Sequence, residues 1–398
     1  MLSRLIAAIL LAGTAALPLH ALAAAPEGSD LPPAACVKPG GWSDAQARPM
    51  DTGDLLRRAA DAPVVLLGER HDSADHHRWQ LHTLIALHTL NPNLAIGLEM
   101  LPRSAQPALD RWTAGTITEA ELLKETNWRK AWGYDAQFYL PILNFARMNR
   151  LPLVALNVER GLVSRTAREG WAAIPPADRQ GVGDPAAASS AYVKRLREAM
   201  ESHGNAHGPG ERSADSFQRF VEAQSVWDRA MAERIAETRR DTNRTVVAIL
   251  GMGHVEGRDG VPYQLADLGI GNSLVLLPWD PERPCDALDG RIADAVYGLH
   301  DSAPPDAGET PRPRLGVMLE PGNGGAQVRS VMDGSVAAAA GLAPGDVVVA
   351  AAGTPVRDAS DLTAVVQRQA PGTWLPLTVK RDQGTRELVA KFPAEPQP

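Results

Sequence analysis

Two short segments of the chain place histidine and acidic side chains directly after apolar runs. The first, residues 68–72, carries Glu69 and His71, and the second, residues 251–254, ends at His254. Both segments have the spacing Gly-x-x-His. Imidazole and carboxylate groups can bind a divalent metal, act as general acid and base, or hold a cofactor. The two segments therefore predict one chemical site built from distant parts of the chain.

Apolar runs predict the strands that must position these side chains. Besides the two runs that precede the histidine motifs, residues 94–98 and 153–156 are apolar and end at Glu99 and Asn157. Strands that alternate with helical segments predict an α/β fold with a mainly parallel sheet flanked by helices. Parallel strands bring their carboxyl ends to one edge, where such folds bind ligands. We therefore expect Glu99 and Asn157 beside the two histidine motifs.

The predicted catalytic set consists of Glu69, His71, Glu99 and His254. Three of them, His71, Glu99 and His254, are also the predicted ligands of a divalent metal. Alone, either Gly-x-x-His segment fits equally well a tight turn whose histidine binds only the backbone. The two segments together, with two glutamates at neighbouring strand ends, favour a functional site.

Two predicted helices carry polar side chains whose role the sequence leaves open. The helix 74–90 holds four histidines, but no two are four residues apart, the spacing that places two imidazoles together on a zinc-binding helix. They are interpreted as packing or solvated residues. On the helix 214–240, Gln224 and Asp228 could either support the site or face water. Residues 104–150 are predicted to form a helical cap over the sheet.

Composition and motifs exclude several classes of function. The net charge of −7 disfavours a nucleic-acid partner, because binding phosphates requires clustered Lys and Arg. The chain has neither the glycine-rich loop of nucleotide-binding proteins nor the Gly-x-Ser-x-Gly turn of serine hydrolases.

Residues 1–25 have the pattern of a signal peptide: a basic start, an apolar stretch and small residues that predict cleavage near Ala23. We therefore expect a periplasmic or otherwise exported protein with an N-terminal extension over residues 26–50. No other stretch is long and apolar enough for a transmembrane segment. In an oxidising compartment, an even number of cysteines favours a disulfide between Cys36 and Cys285.

Several ordered motifs resemble the ChaN family of the haem-binding uptake and Tiki superfamily. They are residues 66–72, 97–100, 139–147, 156–158, 224–232 and 251–254, within a domain expected over residues 51–300. The resemblance implies an envelope protein of haem or iron uptake, with haem bound between the subunits of a homodimer. Relatives in the wider superfamily are metal-dependent proteases and erythromycin esterases, whose paired motifs correspond to His71 and His254 with Glu69 or Glu99.

Haem iron takes His, Tyr, Met or Cys as axial ligand. Tyr134 and Tyr139 lie in the predicted cap and, with Asn157, form the expected cofactor-binding set. The cap also holds apolar rings that could face the macrocycle: Trp128, Trp132 and Phe138. Aromatic residues in a helical cap are also common as core residues.

Residues 301–313 are dense in Pro, Asp and Gly, which predicts a linker. The following residues, 314–392, resemble a small β-rich bacterial PDZ domain of the protease-associated type. The resemblance assigns Arg314, Leu315, Gly316 and Val317 to a loop whose backbone N–H groups bind a C-terminal carboxylate. The implied partner is the C-terminal peptide of an envelope protein; the alternative is a degenerate domain that only docks on its neighbour.

Three functional hypotheses follow. The first is a haem- or iron-handling protein with a peptide-binding module. The second is a metal-dependent hydrolase of envelope peptides or esters, and the third is a non-catalytic scaffold.

Overall fold

The structure is a computed structural model that describes residues 36–204, 214–300, 313–322, 324–382 and 384–394. The chain divides into two compact units, residues 1–301 and 302–398. The predicted signal peptide and nearly all of the predicted linker lie outside the described residues.

The first unit is an α/β domain with eight described strands and ten described α-helices. The strands are β1 (Trp42–Ser43), β2 (Pro49–Met50), β3 (Val64–Glu69), β4 (Leu94–Pro102), β5 (Leu153–Asn157), β6 (Thr245–Gly251), β7 (Leu274–Trp279) and β8 (Ala295–Gly298). The helices are α1 (Thr52–Asp61), α2 (Ala74–Leu90), α3 (Gln106–Ala114), α4 (Glu119–Glu125), α5 (Trp128–Ala131), α6 (Leu140–Asn149), α7 (Arg160–Glu169), α8 (Ser190–Gly204), α9 (Ala214–Thr242) and α10 (Val261–Asp267).

These strands form one mixed sheet in the order β2-β1-β8-β7-β3-β6-β4-β5. The six strands from β8 to β5 are parallel to one another, and only the short β1 and β2 pair antiparallel. The expectation of a mainly parallel sheet flanked by helices is confirmed. The sheet is open, because β2 and β5 are its two edges.

Alternation along the central strands explains why both faces of the sheet are covered. Val65 and Leu67 of β3 belong to one buried cluster, whereas Val64 and Leu66 belong to another. Successive side chains of a strand point to opposite faces, so the continuous apolar run supplies both clusters at once. The strand is fixed from both sides, which gives the polar residues at its end a rigid base.

The described part of the predicted N-terminal extension contributes two short strands to the sheet. Trp42 is 5% exposed, and β1 pairs with β8 while β2 pairs with β1. Two-residue strands are too short to show a period of two in the sequence. The segment therefore extends the sheet at its β8 edge.

The two cysteines lie together without the expected disulfide. Cys36 and Cys285 are free thiols, and the Cys36 thiol is hydrogen-bonded to Cys285. Burial and this contact raise the pKa of the Cys36 thiol. The two thiols are therefore neighbours without a covalent bond between them.

The second unit is the β-rich domain expected from the sequence. Its elements are β9 (Val317–Gly322), β10 (Gly325–Val331), α11 (Val336–Ala339), β11 (Val347–Ala351), β12 (Thr354–Pro355), α12 (Ala359–Gln367), β13 (Trp374–Arg381) and β14 (Gly384–Lys391). The strands pair antiparallel in the order β14-β13-β11-β10-β9, and β12 pairs with β11. Strand β9 therefore forms one edge of this sheet.

Gly68 of β3 provides a test of how closely the site's base is packed. A Cβ atom on Gly68 would lie 2.3 Å from Cδ2 of Leu277 and 3.0 Å from Cγ2 of Val255. Overpacking of this kind costs about 1–3 kcal/mol. We expect Gly68→Ala to lower the free energy of unfolding by that amount in urea denaturation. Gly253→Ala is the control, because a Cβ there meets no atom within 4 Å; equal stability of the two variants would contradict the packing argument.

Candidate functional site

Strands β3, β6 and β4 are neighbours in the sheet and bring the sequence-distant motifs to one edge. Glu69 pairs in register with Gly251, and β4 lies on the other side of β6. The carboxyl ends of the three strands therefore place Glu69, Glu99 and the segment 251–254 together. This is the arrangement that the parallel sheet predicts.

Glu69 and His71 form the first carboxylate–imidazole pair. Oε1 of Glu69 lies 2.6 Å from Nδ1 of His71, and the hydroxyl of Tyr139 donates to the same oxygen at 3.4 Å. Glu69 is 1% exposed, whereas the side chain of His71 is 28% exposed. Burial lowers the pKa of His71, but the hydrogen bond to Glu69 and the charges of Glu99 and Glu69 outweigh it and raise the pKa.

Asp228 and His254 form the second pair. Nδ1 of His254 lies 2.6 Å from Oδ1 of Asp228, and the hydroxyl of Tyr192 donates to Oδ2 of Asp228 at 2.5 Å. Burial lowers the pKa of His254, but the charges of Glu99 and Asp228 outweigh that effect and raise the pKa to about 9. His254 is therefore an imidazolium at neutral pH.

Glu99 lies between the two pairs. Its Oε2 accepts a hydrogen bond from the backbone N–H of Gly251 at 2.6 Å, and its Oε1 lies 3.5 Å from Nε2 of His254. Within the described residues, Oε1 of Glu99 and Oε2 of Glu69 are buried and accept no hydrogen bond. Buried carboxylate oxygens without donors are costly, so they favour a cationic or proton-donating group at this position.

Glycine is required at position 251 because the ring of His71 lies close to the backbone there. A Cβ atom there would lie 2.6 Å from Cε1 of His71 and 3.2 Å from its Nε2. The imidazole of His71 therefore packs directly over the end of β6. This contact joins the two Gly-x-x-His segments physically.

An open cleft of about 740 Å³ lies along this edge. Its wall combines the polar cluster with groups from the cap and from the loop after β7. The lining residues are Glu69, Arg70, His71, Asp72, His76, Tyr134, Gly251, Met252, Gly253, His254, Asp280, Glu282 and Arg283. Small-molecule sites commonly measure about 300–1,000 Å³, so the cleft has the size of a cofactor or substrate site.

Comparison with known proteins agrees with this geometry. The family model described as haem-binding uptake, Tiki superfamily, ChaN matches residues 55–265. The chain belongs to the ChaN family. A PDZ-domain model matches residues 313–391 of this ChaN-family protein. No curated protein sequence matches the chain closely.

The ChaN-like unit shares its fold with a solved ChaN structure. The structure reported as cofacial heme binding to ChaN of Campylobacter jejuni is 22% identical, with a TM-score of 0.51, and covers 64% of this chain and 95% of that chain. An erythromycin esterase, EreC, is 14% identical with a TM-score of 0.37, covering 60% of this chain and 77% of that chain. The HtrA-type protease AlgW with a decapeptide is 26% identical with a TM-score of 0.20, covering 22% of this chain and 30% of that chain.

The predicted cofactor-binding residues occupy different environments in this ChaN-family protein. Tyr134 is 41% exposed and lines the cleft, with its ring centroid 5.0 Å from that of His71. Tyr139 is fully buried and its hydroxyl is bound to Glu69. The side-chain amide of Asn157 donates to the backbone carbonyl of Glu99 at 2.9 Å. Tyr139 and Asn157 thus support the site from within, and Tyr134 is open to a ligand.

Histidines of α2 are anchors of the cleft wall. Nδ1 of His76 accepts from the backbone N–H of Arg70 at 2.9 Å, and its Nε2 lies 3.0 Å from Asp280. Nε2 of His77 lies 3.2 Å from the backbone carbonyl oxygen of His71, and burial lowers the pKa of His77. The expectation of packing residues fits both, since each is nearly inaccessible to solvent.

Asp228 is the functional residue that sequence reasoning left undecided. The spacing of Gln224 and Asp228 fits a solvent-facing stripe as well as an inward one. Asp228 is 0% exposed and bound to His254. The signal that could have found it is its position three and four residues before apolar Met231 and Ala232, which share its helix face and are buried.

The described ranges contain no group of three or more His, Cys, Asp or Glu side chains positioned to hold one metal ion. Both histidines have Nδ1 engaged by a carboxylate. The predicted metal ligands His71, Glu99 and His254 therefore lie at one edge of the sheet, but within the described residues they are not arranged around a single position for a metal ion.

The loop assigned to carboxylate binding is well anchored in the PDZ unit. The carbonyl of Leu315 accepts from the N–H of Ala337 at 2.8 Å, and the carbonyl of Gly316 accepts from the N–H of Met332 at 2.9 Å. Gly316 has a φ of +77°, and a Cβ there would lie 2.3 Å from Cβ of Ser335. Leu315 is buried, whereas Arg314 is exposed. The loop conformation thus depends on glycine.

Asp228→Asn tests the electrostatic origin of the raised pKa of His254. Removing the charge leaves the lowering effect of burial opposed only by the glutamates, so we expect the pKa to fall from about 9. NMR titration of the His254 ring measures this directly. Asp72→Asn is the matched control, because Asp72 lines the cleft but is largely exposed.

The raised pKa of His254 also makes the free energy of unfolding depend on pH. Since the folded-state pKa of His254 lies above the ordinary value of 6.5, its contribution is fully present below pH 6.5 and is lost as pH rises through about 9. The wild-type protein should lose up to about 3 kcal/mol across this window, and the loss should be smaller in Asp228→Asn. Identical pH profiles of stability would contradict the assignment.

Proposed function

We propose that this ChaN-family protein is an exported haem-binding protein whose PDZ domain recruits the C-terminal peptide of an envelope protein. The cleft at the carboxyl edge of the sheet is the proposed haem site. The signal-peptide pattern of residues 1–25 supports a place in the cell envelope. Within the described residues, no helix is long and apolar enough to cross a membrane.

Tyr134 is the observation that carries the haem proposal. It is a side chain of axial-ligand type that lines the cleft and is substantially exposed. Its competitors face other groups: both ring nitrogens of His76 have partners, Nε2 of His254 lies 3.5 Å from Oε1 of Glu99, and the sulfur of Met252 accepts from Arg283. Tyr134 is therefore the proposed ligand of the haem iron.

His71 is the proposed companion of Tyr134. Its ring lies in contact with both Tyr134 and Trp132, and the hydrogen bond to Glu69 fixes its orientation. A ring held through Nδ1 leaves Nε2 free to act toward a bound group or toward the tyrosine. A bound haem would supply the redox and ligand-binding chemistry of its iron, and the protein would set the polarity around it.

Other residues of the cleft fit the remaining parts of a haem. Arg70 and Arg283 line it, and their guanidinium groups suit carboxylate side chains such as propionates. Arg70 is 61% exposed, and Arg283 is within hydrogen-bond distance of the sulfur of Met252. Tyr134 supplies aromatic surface beside His71.

Haem titration of the full chain tests the proposal. We expect a saturable Soret band for the wild-type protein, and for Tyr134→Phe a shifted band with at least about tenfold weaker binding, because the phenol oxygen is lost. Tyr263→Phe is the control: Tyr263 is 38% exposed against 41% for Tyr134, but it lies on α10 outside the cleft lining.

Two outcomes would contradict this assignment. Wild-type protein without a saturable Soret response would reject the haem site, and wild-type binding by Tyr134→Phe would reject Tyr134 as the ligand. Equal losses in Tyr134→Phe and Tyr263→Phe would indicate a nonspecific effect.

A metal-dependent hydrolase is the second candidate, favoured by one observation. The unpartnered oxygens of Glu69 and Glu99 are buried at the edge that also carries His71 and His254. A divalent cation would satisfy them and could activate water. Metal analysis of the same purified protein separates the candidates: bound manganese, cobalt or zinc without a haem response would favour hydrolysis.

The peptide-binding proposal is supported by the edge position of β9 in the PDZ unit. Helix α12 packs against β9, β10 and β11, and among the described residues β9 has a strand partner on one side only. An extended peptide can add to such an edge by backbone hydrogen bonds, with its terminal carboxylate at the loop 314–317. The N-terminal half of α12 is fixed by Asp358, which accepts from the N–H groups of Ser360 and Asp361.

Gly316→Ala tests the loop. We expect a random peptide pool with free C-terminal carboxylates to bind the wild-type chain, and the amidated pool to bind much less, in a pull-down read by mass spectrometry. The clash with Ser335 should abolish the difference between the pools in Gly316→Ala. Gly334→Ala is the control, because its φ is +70° but a Cβ there meets nothing within 4 Å. A variant that still prefers the free carboxylate would contradict the assignment of this loop.

A further inference from the structure

A second cavity, of about 520 Å³, lies among residues of β4, β5, α5 and the start of α7. Its lining residues include none of the cleft residues that are proposed to bind haem. Its volume falls within the range of about 300–1,000 Å³ for small-molecule sites. The cavity is therefore large enough to hold a small-molecule ligand of its own.

Two indoles form the apolar part of its lining. Trp132 and Trp227 both line the cavity, together with Met100, Ala131 and Val158. Trp132 also contacts the ring of His71 at 4.6 Å between centroids, and Trp227 contacts His254 at 4.9 Å. The cavity thus has two indoles in its wall that an apolar body can contact, and it adjoins the polar cluster through these rings.

Cationic groups form the polar part. Lys130 and Arg160 line the cavity, and Arg160 is held in place by donating to the backbone carbonyl of Trp132 at 2.7 Å. Within the described ranges, no acidic side chain forms an ion pair with Lys130. These donors are complementary to an anionic oxygen.

The two carboxylates of the lining are already engaged. Glu125 pairs with Arg111, and Glu159 accepts from the hydroxyl of Ser104 at 2.5 Å. Lys130 and Arg160 therefore remain available to a ligand. The negative charges of the two carboxylates, however, disfavour a doubly charged anion such as phosphate. A single carboxylate matches this balance better.

The start of α7 adds further donors to the same place. No side chain caps this ten-residue helix. The N–H of Leu162 donates to the carbonyl of Glu159, so the N–H groups of Arg160 and Gly161 are the ones at the start of the helix that can face a ligand. A Cβ on Gly161, which lines the cavity, would meet no atom within 4 Å. Open space therefore lies directly beside the positive end of the helix dipole.

We propose that this cavity binds a small apolar monocarboxylate, with its body on Trp132 and Trp227 and its carboxylate at Lys130, Arg160 and the start of α7. An aromatic acid and a short fatty acid share this chemistry. The site is separate from the proposed haem cleft and does not depend on it.

Isothermal titration calorimetry of the full chain tests the proposal with defined probes. The acids are 1-naphthoate and octanoate, each compared with its neutral alcohol, 1-naphthalenemethanol or octanol, and with inorganic phosphate. We expect at least one acid to bind about tenfold more tightly than its alcohol, because the charge-assisted hydrogen bonds are lost in the alcohol. The preferred acid distinguishes an aromatic from a fatty ligand.

Two variants locate the binding site. Lys130→Met should weaken the preferred acid about tenfold, and Gly161→Leu should abolish binding by filling the cavity, while the Soret titration of Gly161→Leu stays as in wild-type protein. Lys124→Met is the control, because Lys124 is an exposed lysine of α4 outside the lining.

The proposal is overturned if neither acid binds, if an alcohol binds as tightly as its acid, or if phosphate binds more tightly than both acids. It is also overturned if both Lys130→Met and Gly161→Leu bind the acid as wild-type protein does.

Discussion

Three buried carboxylates at one sheet edge are the constraint on which the site depends. Glu69, Glu99 and Asp228 are each at most 1% exposed. Burial of a carboxylate costs several kcal/mol unless a partner compensates it. His71 and His254 are the partners, and the raised pKa of each imidazole is the consequence of being surrounded by these acids. The histidines are held in place by the charges that they neutralise.

The same constraint explains the surrounding structure. Gly251 must lack a side chain so that His71 can pack over β6 while the Gly251 N–H binds Glu99. Tyr139 and Tyr192 donate to Glu69 and Asp228 from within the core. The polar cluster is therefore held by several hydrogen bonds, and Tyr134 of the cap and the loop after β7 form the more exposed part of the cleft wall.

Sequence patterns predicted the parallel sheet and the meeting of Glu69, Glu99 and His254. In an α/β fold, an apolar run that ends in polar residues predicts a strand whose carboxyl end lies at the edge where ligands bind. These patterns could not decide Asp228, since an inward stripe and a solvated stripe on a helix have the same spacing. Sequence patterns also could not predict that Tyr134 is exposed whereas Tyr139 is buried. Burial of a ring in a cap depends on how several short helices pack, which no local period encodes.

The order of strands in the sheet has a consequence for how the protein folds. Strand β6 separates β3 from β4, yet it is made about 145 residues after β4 in the chain. Until β6 inserts, β3 and the β4–β5 pair have open edges that can join other chains. Assembly of the polar cluster therefore coincides with closure of the sheet, and a nascent or truncated chain that lacks β6 is both functionless and exposed to aggregation.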